Sequence, residues 1–455
     1  MANLHEKIIK DTSLEDEAIR ETNDDAATSK LSAVNVGYLN DKFVKYFVRR
    51  TTRRPPIINR GTYVRNVALD TLIKKFLEGS GGKKKDKHDM KKQIVSLGAG
   101  SDTRYFHFKK SQIRFHKYFE IDYPQVNLKK IMSIRRHEEL LELLGNEIEI
   151  GKGETEIYGI DYCLLSGDLR NFESDLIPIM ESKGFDRSLP TLFLSECVMI
   201  YMDPTDSDKL VEWIGKNMRL AIFIVYEQIL PDDAFGSVML HNLRLRNIEL
   251  RGIHAYPTLQ SQKDRYLSRG WNYAEAIDIN EIHDYHLDPN ELSRISRLEL
   301  MDEFEEWKLL AKHYCIAWAY KVTTDDKSHK SFFDNIKFDD FHKKPNKEKF
   351  PKISGPSLGN DKIPDHMWHQ CPNAIKIVLN GGSETSVFIS SIPSDKCTTS
   401  KSVFHELISS INILFASFIK ATPFSIHSYL MSGDAFQNAW KIGDRYSTIK
   451  VRSDI

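Results

Sequence analysis

Gln93-Ile94-Val95-Ser96-Leu97-Gly98-Ala99-Gly100-Ser101-Asp102-Thr103-Arg104 is the stretch that decides the fold. A short apolar run stops at Gly-Ala-Gly, and a polar turn follows. This predicts the first strand of an α/β sheet running into a ligand-cradling loop. Glycine lets the backbone turn sharply and approach a ligand with no Cβ in the way. Roughly 20 residues on, a second apolar run, Tyr118-Phe119-Glu120-Ile121, ends at Asp122. An acid at the tip of the second strand is where a nucleoside presents its ribose hydroxyls, and a carboxylate accepts from both.

The dinucleotide fingerprint asks for a third glycine where this chain has Thr103, and no Walker lysine follows the loop. The pattern therefore fits a ligand that has ribose but no phosphates. S-adenosylmethionine is the common one.

The chain has 455 residues, too many for one typical core, which suggests a main domain with additions. Lys+Arg and Asp+Glu both number 64, and the zero net charge argues against a general nucleic-acid binder. Met1-Ala2-Asn3-Leu4-His5-Glu6 carries no apolar signal region, and no apolar run approaches membrane-spanning length. Cys163, Cys197, Cys315, Cys371 and Cys397 are scattered, with no C-x-x-C pair. They read as reduced thiols of a cytoplasmic protein. No metal-ligand spacing and no internal repeat is present.

Residues 1–23 are charged and read as a disordered N-terminus. Asp24-Asp25 ahead of Ala26-Ala27-Thr28-Ser29-Lys30 predicts a helix N-cap, and apolar residues continue at near-helical spacing to Phe47. Arg49-Arg50-Thr51-Thr52-Arg53-Arg54 reads either as a solvated linker or as a collar for an anionic partner. A second helix is predicted from Thr62, with Arg65 off its apolar stripe. Together, residues 24–78 form a helical segment ahead of the sheet. Residues 79–92 read as a flexible loop.

Strands follow at Gln93, at Tyr118, at Asp161-Tyr162-Cys163-Leu164-Leu165, at Thr191 to Glu196 continuing to Tyr201, and at Ala221 to Glu227. Helical stretches separate them, with a polar loop at 145–157. Two closing strands are expected within 271–278 and 312–322. Continuous apolar strands alternating with helices predict a doubly wound, mostly parallel α/β sheet over residues 93–322. Residues 323–366 read as linker, and 367–455 as a C-terminal extension carrying no visible chemistry.

Such a sheet binds its ligand at the carboxyl ends of its strands. There stand Gly98 and Gly100, Asp122, Asp168 with Leu169, and Glu196. Asp122 suits ribose. Asp168 with the Leu169 amide suits an adenine edge. Glu196 suits a cationic ligand group such as the methionyl ammonium.

Four motifs, in order, resemble the leucine carboxyl methyltransferase family. They are Asp24-Asp25-Ala26-Ala27-Thr28-Ser29-Lys30, Pro55-Pro56-Ile57-Ile58-Asn59-Arg60-Gly61-Thr62-Tyr63-Val64-Arg65, Ser96 to Arg104, and Ser195-Glu196-Cys197-Val198-Met199-Ile200-Tyr201-Met202. The resemblance spans roughly residues 24–322. It implies a class I S-adenosylmethionine-dependent methyltransferase with a seven-stranded sheet and a helical N-terminal lid at 24–78. It implies, as substrate and partner, the C-terminal leucine carboxylate of the protein phosphatase 2A catalytic subunit, whose methyl ester regulates holoenzyme assembly. It implies that Lys30, Arg65, Gly98, Asp122, Asp168, Leu169 and Glu196 contact the cofactor, and that Arg65 and Tyr201 face the reacting carboxylate. A related branch, which esterifies a tRNA wybutosine side chain, carries a kelch-repeat extension. This chain shows no such repeat, but the branch stands as the alternative.

Overall fold

The computed structural model describes residues 14–79, 91–323, 333 and 335–341. Its centre is one nine-stranded sheet in the order β3-β4-β5-β2-β1-β6-β7-β9-β8. The strands are β1 (Gln93–Leu97), β2 (Lys117–Asp122), β3 (Glu149–Ile150), β4 (Ile157–Tyr158), β5 (Tyr162–Ser166), β6 (Thr191–Glu196), β7 (Leu220–Gln228), β8 (Tyr273–Asp278) and β9 (Tyr314–Val322). The five central strands β5, β2, β1, β6 and β7 are parallel. β9 runs antiparallel between β7 and β8.

The expected seven-stranded class I core is present. The polar stretch at 145–157 departs from the sequence reading. Glu149–Ile150 within it and Ile157–Tyr158 at its C-terminal end form the two-residue strands β3 and β4, which extend the sheet antiparallel beyond β5. Pairing over two residues leaves too short an apolar signal to read. The run from Thr191 also ends sooner than expected. β6 stops at Glu196, and Met199–Tyr201 is one 3₁₀ turn.

The central strands are apolar throughout because the sheet is covered on both faces. Successive residues feed alternate layers. Ile94, Tyr118, Leu192, Leu194, Ile222 and Ile224 join one core cluster. Val95, Phe119, Ile121, Phe193, Phe223 and Val225 join the other. Helices α1 (Leu14–Val36) and α2 (Pro56–Glu78) cover the first face through Ala33, Val64, Leu69, Leu72 and Phe76.

Both helices begin earlier than the sequence reading placed them. α1 starts at Leu14, and Asp24-Asp25 lies inside it rather than capping it. The upstream Glu and Ala residues are good helix formers, so the helix passes through the acidic pair. α2 starts at Pro56, not Thr62. Proline suits a first helical turn because its missing N–H would have no partner there.

Part of the expected 323–366 linker is packed. Phe333 and Ile336 are buried, and Phe338 is nearly so. The Phe333 ring stacks on Tyr320 at 5.5 Å, and Phe338 meets Trp318 edge-on at 5.4 Å. Lys75 of α2 bonds the Lys337 carbonyl at 2.6 Å and Asp339 at 2.7 Å. These residues form a strap from the end of the sheet back to α2. Their aromatic residues are too widely spaced to read as an element. Residues 1–13 and the extension at 367–455 lie outside the described residues.

Candidate active site

The chain leaves β1, crosses to β2 and β5, then returns to β6 on the other side of β1. A crevice opens where the order reverses, at the carboxyl ends of the strands. It is a cavity of about 550 Å³. Lys30, Arg65, Gly98, Gly100, Asp122, Asp168, Leu169, Glu196 and Tyr201 all line it.

The glycine loop is shaped by conformation. Gly98 has φ +64° and Gly100 φ +51°, in the left-handed region that side chains disfavour. A Cβ at Gly98 would collide with Val198, and one at Gly100 with Asn23 of α1. Asp122, at the tip of β2, accepts the Gly100 and Tyr123 amides at 2.7 Å each. Burial pushes its carboxyl up, and the two amides work against that. Asp122 thereby ties the second strand to the glycine loop.

Asp168 follows β5. Its carboxylate accepts the Arg170 amide at 2.9 Å and the Arg170 guanidinium at 2.5 Å. Asp168, the acid expected to meet an adenine edge, is already held by an arginine two residues on. A carboxylate has about four acceptor positions, so capacity for a further donor remains.

Glu196 departs most from expectation. Its Oε2 accepts Arg65 Nε at 2.9 Å, and its Oε1 accepts Arg104 Nη1 at 2.5 Å. Burial alone would raise its carboxyl, but the Arg104 and Arg65 guanidiniums hold it below the ordinary carboxylate value. It is an anchor for two cations before any ammonium arrives. The Arg65 guanidinium also lies 4.6 Å from the Tyr226 ring centroid. Among the described residues, the Arg65 Nη groups make no hydrogen bond.

Lys30 reaches from α1 to Thr103 Oγ1 at 3.0 Å and to Asp41 at 2.7 Å. Burial works against the Asp41 anion, but His107 and Lys30 outweigh it and hold the acid far below its usual range. Asn23 Oδ1 accepts the Ser101 amide at 2.7 Å. Two polar pins therefore fix α1 over the glycine loop.

Residues 14–215 match the family model described as leucine carboxyl methyltransferase. A leucine carboxyl methyltransferase 1 homolog of Arabidopsis thaliana is 41% identical over 302 residues, covering 66% of this chain and 89% of that one. This chain belongs to the leucine carboxyl methyltransferase family. Leucine carboxyl methyltransferase 1 of Bos taurus is 35% identical, over 68% of this chain and 92% of that one. The tRNA wybutosine-synthesizing protein 4 of Homo sapiens is 35% identical, over 74% of this chain and 47% of its own length. The protein is thus a carboxyl methyltransferase that uses S-adenosylmethionine.

The cavity of this methyltransferase fits that cofactor. The two left-handed glycines leave a cradle that a Cβ would fill, and an acid stands at the second strand tip. Among the described residues, no cluster of His, Cys, Asp and Glu could hold a metal ion. None of their helices is long and apolar enough to cross a membrane.

Sequence reasoning missed Arg104. Its buried guanidinium joins Asp70 at 2.6 Å, Asp102 at 2.9 Å and Glu196 at 2.5 Å. A signal was present. Arg104 opens helix α3 (Arg104–Lys110), where the helix dipole disfavours a cation unless carboxylates surround it.

Proposed function

We propose that this carboxyl methyltransferase esterifies the C-terminal leucine α-carboxylate of the protein phosphatase 2A catalytic subunit, and so regulates holoenzyme assembly. The observation that carries the reading is Arg65. It stands in the cavity with its Nε on Glu196 and, among the described residues, with no hydrogen-bond partner for its Nη groups. A planar fork of that kind pairs with a carboxylate by two parallel bonds.

In this reading Lys30, Arg65, Gly98, Gly100, Asp122, Asp168, Leu169 and Glu196 hold the cofactor. Arg65 and Tyr201 face the reacting carboxylate. Segment 24–78 is a lid, and 93–322 is the methyltransferase domain. The scattered cysteines support a cytoplasmic location.

When bound, S-adenosylmethionine supplies an electrophilic methyl group on a positively charged sulfur. The α-carboxylate has a pKa of about 3.5, so it enters ionised and needs no general base. The protein has only to align the nucleophile and exclude water. Arg65 compensates the cost of burying the substrate carboxylate. The Glu196–Arg104 pair keeps Arg65 in place. This division of labour accounts for a site with no nucleophile–histidine pair among the described residues.

The test is transfer of labelled methyl from S-adenosylmethionine to the purified phosphatase core dimer. The second reading, esterification of a wybutosine side chain in tRNA, draws on the 35% identity to the human wybutosine protein over 74% of this chain. Transfer to modified tRNA with none to the phosphatase would overturn the first reading in favour of the second.

A further inference from the structure

Glu227 is 2% exposed, and the chemistry above does not use it. It lies on β7 beside Tyr226, whose ring carries Arg65, and opposite Cys315 of β9. Its carboxylate accepts the Ile200 amide at 2.9 Å, and the Met199 amide also bonds to it. Those amides open the 3₁₀ turn Met199–Tyr201, which no side chain caps from its own N-terminal residue Val198. The turn needs holding. β6 ends at Glu196, and Cys197 is forced to φ +54° with its amide on the Tyr226 carbonyl at 2.7 Å. From the other side, the Gly252 amide bonds the Ile200 carbonyl at 2.9 Å. A Cβ at Gly252 would sit 3.2 Å from the Ile200 Cα. Tyr201, the last residue of the turn, lines the cavity.

We propose that Glu227 is a positioning residue: its buried carboxylate fixes the Met199–Tyr201 turn and thereby presents the Tyr201 phenol to the reacting carboxylate. This rests on the functional reading above. The geometry has a pH consequence. The groups facing Glu227 are Arg265, Tyr266, Cys315 and Cys197. The Arg265 guanidinium is drawn to Asp208 at 3.0 Å and Ser207 at 2.6 Å, so it is not hydrogen-bonded to Glu227. Burial pushes the Glu227 carboxyl up to about 7, against Arg265 and the two amides. Burial pushes Cys197 up to about 12, and Cys315 and Tyr266 upward as well. Glu227 is thus the member of this group whose charge changes near neutral pH. Ionised, it accepts both amides with charge assistance. Protonated, it keeps a neutral carbonyl acceptor, loses the charge assistance and gains an O–H donor that neither amide can use.

The test uses the full chain in two measurements. The first follows the Ile200 amide by selective ¹⁵N-isoleucine labelling from pH 5.5 to 8.5. An inflection near 7 that Glu227→Gln abolishes is expected; an amide indifferent to both overturns the proposal. The second compares wild type, Glu227→Gln, Tyr201→Phe and the double variant in phosphatase methylation across the same range. Glu227→Gln should lower kcat tenfold or more, lose the inflection near 7 and leave KM for S-adenosylmethionine within a factor of two. It should cost little more once Tyr201 is already Phe. Independent, additive losses would make Glu227 merely structural and overturn the proposal. Absence of phosphatase methylation by the wild type, with the Ile200 titration intact, would count against the functional reading and not against the anchor.

Discussion

The strap across the sheet can be removed by choosing where to truncate. Stopping after Thr323 deletes it, and stopping after Phe341 keeps it. The two chains differ by residues 324–341, which carry the strap residues. Phe333, Ile336 and Phe338 are 1%, 2% and 8% exposed, and they cover Tyr320 and Trp318, each 4% exposed. Burying a large apolar side chain stabilises by about 1.5–3 kcal/mol. Three of them contribute about 4–9 kcal/mol, an upper figure because unfolded chains already bury some apolar surface. Taking about 4 kcal/mol, the loss is a large part of the roughly 5–15 kcal/mol that holds a domain together. The shorter chain should melt about 6 °C lower. Calorimetry or denaturant unfolding of both truncations reads this directly. It also bears on function, because the strap bonds to Lys75 of the helix that carries Arg65. Equal melting temperatures would refute the reasoning and return 323–366 to a simple linker.

Asp122→Ala should weaken S-adenosylhomocysteine binding by about 1–3 kcal/mol, because it removes an acceptor and leaves the Gly100 amide without its partner; unchanged calorimetric affinity would take Asp122 out of the site. Arg65→Lys should keep the fold and lose most methyl transfer, since an ammonium cannot bond Glu196, lie over Tyr226 and fork a carboxylate together. Near-normal turnover in a steady-state assay would count against it. Stability should fall as pH rises through neutrality on account of Glu227. Its folded pKa is raised from 4.5 to about 7, so its contribution is complete below about pH 4.5 and lost as pH rises through 7. At about 1.36 kcal/mol per unit this is on the order of 3 kcal/mol. Glu227→Gln should flatten that slope in denaturant titrations at pH 5 and 8, and a parallel slope in the variant would sink the assignment.

Apolar runs flanked by glycine and acid sufficed to read the central strands, because strands buried on both faces need apolar residues at every position. The same logic brought Gly98, Asp122, Asp168 and Glu196 to one edge, and the structure places all four around one cavity. What the sequence could not show was pairing. Glu196 reads as an acid waiting for a ligand, yet Arg65 and Arg104 already hold it from 131 and 92 residues away. Separations of that kind leave no local pattern. The strap was opaque for a similar reason, since Phe333, Ile336 and Phe338 follow neither a helical nor a strand period and gain meaning only against Trp318 and Tyr320.

β9 lies between β7 and β8, although it is the last of the three to be synthesised. β7 ends at Gln228 and β9 at Val322, so 322 − 228 = 94 residues must be added before β7 gains its second neighbour. At roughly 5–20 residues per second, a ribosome takes about 5–20 s over them. Through that interval β7, nine buried and mainly apolar residues in the finished protein, has one edge open. β8 is already made but pairs with β9. An open apolar edge is a template for another chain. The strand order therefore makes the nascent polypeptide, not the finished enzyme, the form most exposed to aggregation, and chains stalled before Tyr314 are the ones chaperones should capture.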